Sequence, residues 1–250
     1  MRTIAWQCQT LVGVSLLVAL TANSSLVQSA HAQFSLPPSQ GTPKGTAGGG
    51  SRPTQQLCLQ NPKSQDSLMA LAPTQFVGLT PHSTPTIWVY VPPTIAKTLE
   101  FSLFTKEREG IYQANLPIKA SGLVKITLPP QATLASDKPY QWTAALICSP
   151  TRRTEDWVVG GWIQHQPLTA DLQRQLTQAT AEQQVRLYTQ TGFWYEALNR
   201  YLKLQQAQPQ NSNLTTIWSE LLKSGGLTAV PPLQKPPQMT KLSFVTQVMD

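Results

Sequence analysis

The sequence predicts an α+β chain, an antiparallel β-sandwich of the immunoglobulin-like class followed by a small C-terminal helical hairpin region, on three observations. From Leu57 to about Gln166, apolar residues recur with period two between chain breakers. No helical period separates those runs, which removes the crossover helices that a parallel sheet needs. After Pro167 the apolar period changes to 3.6. Regular short strands without intervening helices favour an antiparallel sandwich.

The first 32 residues read as an address. Arg2 supplies a short positive region, and an apolar stretch from Leu11 to Leu20 follows, interrupted by Gly13 and Ser15. Ser29-Ala30-His31-Ala32-Gln33 then offers small residues in the A-x-A pattern, which predicts cleavage between Ala32 and Gln33. The stretch is about half of what spans a bilayer, and no stop-transfer charges follow, so it reads as a signal peptide rather than an anchor. The mature chain is expected to be periplasmic or extracellular and to carry no transmembrane segment. Cys8 precedes the apolar run and leaves with the peptide.

Of the three cysteines, Cys58 and Cys148 then remain. An even count in an exported chain reads as a disulfide, because that compartment lacks reducing buffers, with two free buried thiols as the alternative. His82 and His165 show no metal-ligand spacing to either cysteine, so no metal is expected. Residues 33–56 are dominated by Pro, Gly, Ser, Thr and Gln, including Gly48-Gly49-Gly50, and read as a disordered linker.

Expected strands are Phe76–Leu79, Thr86–Val91, Leu99–Phe104, Ile111–Leu116, Leu123–Leu128, Tyr140–Cys148 and Trp157–Gln164, within a β-domain spanning 57–166. In Tyr140–Cys148, alternation places Tyr140, Trp142, Ala144, Leu146 and Cys148 on one inward face. A bridge from Cys148 to Cys58 would pin the first segment to a late strand. Both faces of Thr86–Val91 are apolar, which suits a central strand or one covered by the later helices. Gly160-Gly161 interrupts the last strand and marks a bulge at a sandwich edge or a close backbone approach.

The helical region spans 167–227. Thr169 can cap a first helix, with Asp171 in its first turn and Leu172 and Leu176 as its stripe. Thr180 and Gln183 form a capping box for a second helix, which Gly192 stops. A third runs from about Trp194 to Gln206. Ser212 or Asn213 can cap a fourth, which Gly225-Gly226 closes. The tail, 228–250, is Pro-rich and extended.

Two resemblances add to this. Tyr188, Gly192, Trp194, Ala197, Tyr201, Leu204 and Pro209 follow each other at offsets that resemble one tetratricopeptide repeat. Separately, a set of motifs is similar to an uncharacterised exported family frequent in cyanobacteria, domain of unknown function nine-two-eight. The set comprises Cys58 with Leu68-Met-Ala-Leu-Ala-Pro73, Ile87-Trp-Val-Tyr-Val-Pro-Pro93, Leu99-Glu-Phe101, Gly110-Ile-Tyr112, Tyr140-Gln-Trp142, Ile147-Cys148 and Gly161-Trp-Ile163. It ends with Leu187-Tyr188 through Gly192-Phe-Trp-Tyr-Glu-Ala-Leu198. The likeness spans about 57–227 and implies export, the cysteine pair and the strand-then-helix order, but no activity.

Composition narrows the function. The chain has 250 residues, 40% of them hydrophobic and only 12% charged. That excludes wholesale disorder and disfavours a coiled coil. The net charge of +7 falls to about +6 without the signal peptide, and its Lys and Arg are scattered, so no nucleic-acid partner is expected. There is no nucleophile elbow, no phosphate-cradling loop and no metalloprotease motif. The best acidic pair is Glu155-Asp156, beside Arg152-Arg153, which reads mainly as a self-neutralising loop. The chain therefore reads as an exported non-catalytic binding or interaction module, without cofactor, catalytic residues or metal. Its expected partner is another envelope protein or polymer. Trp157, Trp162, Trp194 and Trp218 are the candidate contact residues. The competing reading is an envelope carbohydrate-binding or carbohydrate-cleaving protein using Trp157, Trp162 and Glu155/Asp156, because aromatic faces suit sugar rings and paired carboxylates suit glycoside hydrolysis.

Overall fold

A computed structural model of the chain describes residues 58–227, apart from Pro62 and Gln65, together with the backbone of Thr240–Lys241. The expected signal peptide, its cleavage point, Cys8, the linker 33–56 and most of the tail 228–250 lie outside the described residues.

The fold is α+β, with two sheets and four helices. In chain order the elements are β1 (Met69–Ala70), β2 (Gly78–Thr80), β3 (Thr86–Val91), β4 (Thr98–Thr105), β5 (Gly110–Pro117), β6 (Gly122–Thr127), β7 (Pro139–Leu146) and β8 (Trp157–His165). The helices follow as α1 (Ala170–Gln178), α2 (Ala181–Gln190), α3 (Trp194–Ala207) and α4 (Asn213–Ser224), and β9 (Thr240–Lys241) comes last. One sheet has the order β1-β3-β6-β9, the other β2-β8-β7-β4-β5.

Alternation explains which faces are buried. Leu99, Phe101 and Leu103 of β4 stand opposite Leu146, Ala144 and Trp142 of β7, and all six are fully buried. In β3, Ile87, Val89 and Val91 turn inward beside Ile126, Val124 and Gly122 of β6. The opposite face of β3 meets the helices: the Trp88 indole donates to Asn199 Oδ1 of α3 at 2.6 Å. One contiguous apolar core takes side chains from both sheets and all four helices.

Several expectations are corrected. The sheets are mixed rather than antiparallel, since β2 pairs with β8 and β6 with β9 in parallel. Periodicity reports which face a residue occupies, not the direction of a neighbour distant in sequence. The segment at Phe76 becomes a strand only from Gly78, and the two-residue strands β1 and β9 were too short to show a period. The glycine pair makes no bulge and lies at no edge. β8 runs unbroken between β2 and β7, with Gly160 opposite Thr143 and Gly161 opposite Trp142. Its glycines permit close approach instead. A Cβ on Gly160 would stand 2.3 Å from the Trp142 carbonyl oxygen, and one on Gly161 would stand 2.4 Å from Ala72 Cβ. The register shift falls in β4, between Leu103 and Phe104.

Helix ends follow local chemistry. Thr169 accepts from the Leu172 amide, and Thr180 and Gln183 form the reciprocal capping box. Gly192, with φ of 79°, makes the turn between α2 and α3. At α4, Ser212 makes no side-chain cap; the Asn211 carboxamide oxygen accepts from the Asn213 amide instead, at 3.0 Å. Cys58 and Cys148 are joined in a disulfide, with Cα atoms 5.1 Å apart across a sequence separation of 90. It ties the segment before β1 to the end of β7.

Candidate functional site

The acidic pair sits in the loop between β7 and β8. Arg152 Nε lies 3.0 Å from Glu155 Oε1, and Arg153 pairs with both Asp156 and Glu100. Hydrogen bonds to Asp156, then to Glu100, hold the Arg153 guanidinium above its ordinary pKa. Asp156 Oδ1 also accepts from the Cys148 amide at 3.3 Å, so this carboxylate anchors the chain beside the disulfide. Each acid is matched by an arginine in its own loop.

The tryptophans are dispersed. Trp162 lies five positions after Trp157, an odd offset, so the two stand on opposite faces of β8. Trp157 is opposite Leu146 and belongs to the main core. Trp162 is opposite Gln141 on the other face; it is buried but outside that core, and its indole Nε1 has no hydrogen-bond partner. The two rings therefore do not form one platform with Glu155 and Asp156. Trp194 is buried where α3 meets the sheets. Its indole donates to the Leu71 carbonyl at 2.9 Å, and Phe76 packs edge-on against it. Trp218 of α4 stacks on Tyr201 of α3, with centroids 4.8 Å apart.

Several of the residues that join the helices to the sheets lie outside the candidate contact set. Tyr195 is completely buried. Its hydroxyl accepts from Trp142 Nε1 at 2.8 Å and donates to the Trp162 carbonyl at 2.9 Å. Burial pushes its phenol pKa well up, so the donor proton is held. Nearby, Asn199 accepts from Trp88 and donates to Glu196 Oε1 at 3.4 Å, while Glu196 Oε2 lies 3.8 Å from His82 Nε2. Main-chain bonds complete the joint: Leu79 N–H to the Gly192 carbonyl, and Thr74 N–H to the Gly225 carbonyl, each at 2.9 Å. The signal available in sequence was the run Trp194-Tyr-Glu196, whose aromatic members carry polar tips that need partners when buried.

The outward side of the helices is polar. Gln183 and Arg186 of α2 and Thr215, Thr216, Ser219, Glu220 and Lys223 of α4 are exposed. Arg186 pairs with Glu220 between the two helices, and Asn211 Nδ2 donates to Glu182 Oε1 at 2.8 Å. Among the described residues, no group of three or more His, Cys, Asp or Glu could hold a metal ion. No described helix is long and apolar enough to cross a membrane.

Comparison with curated proteins gives no match. The family model described as Domain of Unknown Function (DUF928) matches residues 47–234, most of the chain, and the protein belongs to that family.

Proposed function

We propose that this protein is an exported, non-catalytic interaction module. In this reading the two sheets form a disulfide-pinned sandwich of the immunoglobulin-like class over 57–166. They carry the helical region, 167–227, as a rigid recognition surface for another envelope protein or polymer. The observation that carries the reading is the joint at Tyr195, Trp194 and Trp88. Buried hydrogen bonds lock α3 to the sheets, while α2 and α4 keep a linked polar surface facing outward. A preorganised surface loses less freedom on binding than a mobile one.

The tetratricopeptide likeness supports the hairpin part of the proposal. Tyr188, Trp194, Ala197, Tyr201 and Leu204 are all buried, and Gly192 makes the turn between α2 and α3. The bridged Cys58 and Cys148 support the export part, since disulfides persist in oxidising compartments. Cleavage after Ala32 belongs to the same proposal.

The test compares capture from an envelope extract by the wild-type mature protein and by Arg186→Glu and Ser219→Arg variants. Loss of the same captured partner in both variants, with Tm unchanged, is the expected result. Capture indifferent to both substitutions would overturn the proposal. So would turnover of envelope glycans abolished by Glu155→Gln or Asp156→Asn with folding intact, an outcome that would promote the carbohydrate reading.

A further inference from the structure

One end of the β-region is built on the disulfide. There Thr98 of β4 stands opposite Pro117 of β5, and the pairing runs one step past the strands, since the Ile118 N–H donates to the Lys97 carbonyl at 2.9 Å. The Cys58 carbonyl accepts from the Ile95 N–H at 3.0 Å and from the Thr94 hydroxyl, and that hydroxyl accepts from the Ala96 N–H at 3.1 Å. Cys58 is in turn bridged to Cys148. The turn is thus held at three successive residues, yet Ile95 finds no cover. At 54% exposure it is the most exposed large hydrophobic among the described residues. A lone exposed isoleucine is ordinary; the charges around this one are not. Lys97 follows it by two residues and Lys119 follows Ile118 on the paired segment, both exposed, and neither forms an ion pair among the described residues. Residues 92–97 and 117–121 contain no Asp or Glu. The acids nearest this end, Glu100, Glu155 and Asp156, are matched by Arg152 and Arg153. The two lysine charges are left uncompensated beside an apolar tip.

We propose that this end is a membrane-contact surface, on which Ile95 enters the headgroup layer of an anionic phospholipid bilayer while Lys97 and Lys119 meet its phosphates. This goes beyond the recognition surface on the helices and is separate from it. β8 starts at this end, with Trp157 opposite Leu146, and its 9 residues carry the chain roughly 25 Å to the entry of the helical region. Charge and apolar exposure together select the partner. An acidic polysaccharide answers the lysines but leaves Ile95 in water. A phospholipid surface answers both, because an apolar side chain gains by leaving water at the headgroup boundary and basic residues gain from the anionic lipids. Lysine suits that depth, since its stem lies along apolar surface while the ammonium stays at the phosphates. Ile118, half-buried against the core, widens the apolar part. The hydrogen-bonded turn presents Ile95 already ordered, so little freedom is lost on contact.

The test is co-sedimentation of the full mature chain with vesicles of phosphatidylcholine and phosphatidylglycerol in equal parts, against vesicles of phosphatidylcholine alone. Binding is expected to the mixed vesicles only, and it should weaken as salt rises. Lys97→Gln and Lys119→Gln should each weaken it about five-fold, the fold-change equivalent to about 1 kcal/mol per lysine at an anionic surface. Ile95→Ser should weaken it at least about five-fold, through the apolar area it no longer removes from water. Ile111→Ser, which changes an exposed isoleucine at the opposite end of β5, should leave it unchanged. Failure to sediment with either vesicle, equal binding to both, or equal loss in Ile95→Ser and Ile111→Ser would overturn the proposal. So would lysine variants that lose binding while Ile95→Ser keeps it, an outcome that assigns this end to a hydrophilic anionic polymer. Vesicle binding does not involve the partner captured by the helices, so the two proposals fail separately.

Discussion

In α1 and α2 the chain carries its own instructions: Thr169 caps a helix three residues ahead, and Thr180 and Gln183 cap each other. In the sheets each corresponding decision is made by residues far apart. β2 finds β8 across most of the β-region, and Cys58 finds Cys148 at a separation of 90. The joint between the two regions is longer-range still, with Trp194 bonded to Leu71 at a separation of 123. The contrast separates two kinds of stability. Helix ends rest on single hydrogen bonds that can be removed one at a time. The sheets and the joint rest on shared burial, where one side chain serves both regions.

The largest expected effect is at Trp142, which is fully buried, stacks on Phe101 and donates to Tyr195. Trp142→Ala should cost about 3–5 kcal/mol in denaturant unfolding, and strand and helix signals should be lost together. Separate transitions would show that the joint does not couple the two regions.

Cys148→Ala should cost about 2–5 kcal/mol, because the loop it closes raises the freedom of the unfolded chain when the bridge is gone. Peptide mapping of the native exported protein without reductant should recover the linked Cys58 and Cys148 peptides, and two freely alkylated thiols would contradict the bridge.

Tyr195→Phe tests the joint alone. It removes one hydroxyl and leaves the Trp142 indole N–H and the Trp162 carbonyl without that partner, for about 1–3 kcal/mol. The sign with pH is fixed. The phenol's pKa is raised in the folded state, so its contribution is complete below its ordinary value of 10.0 and is lost as pH rises above it. The variant should therefore lose less stability than wild type between neutral and strongly alkaline pH, and identical alkaline slopes would refute the assignment.

Thr180→Ala should be the mildest, about 1 kcal/mol, the usual value of an N-cap. Hydrogen exchange should quicken in the first turn of α2 while β4 and β7 keep their protection. Spread of the effect into the sheets would blur the distinction between locally and globally held elements.

The sequence by itself determined whatever a short window can encode. β3 was expected and found at Thr86–Val91, and both α1 and α2 start where Thr169 and Thr180 predicted. The inward face of β7 followed from alternation, because side chains must point to opposite sides of a pleated strand. The closeness of Gly160 and Gly161 to a neighbour was among the expected options, though the neighbour, Trp142, was not identifiable.

Tertiary structure alone decided partnership. Nothing in a period-two pattern states that β8 lies between β2 and β7, that β2 runs parallel to it, or that Trp157 and Trp162 serve opposite faces of a continuous strand. Nor does the motif around Gly192 state that Tyr195 will be enclosed between Trp142 and the Trp162 carbonyl. Burial and pairing depend on which distant segments exclude water from one another, and that is a property of the whole packed chain rather than of any stretch of it.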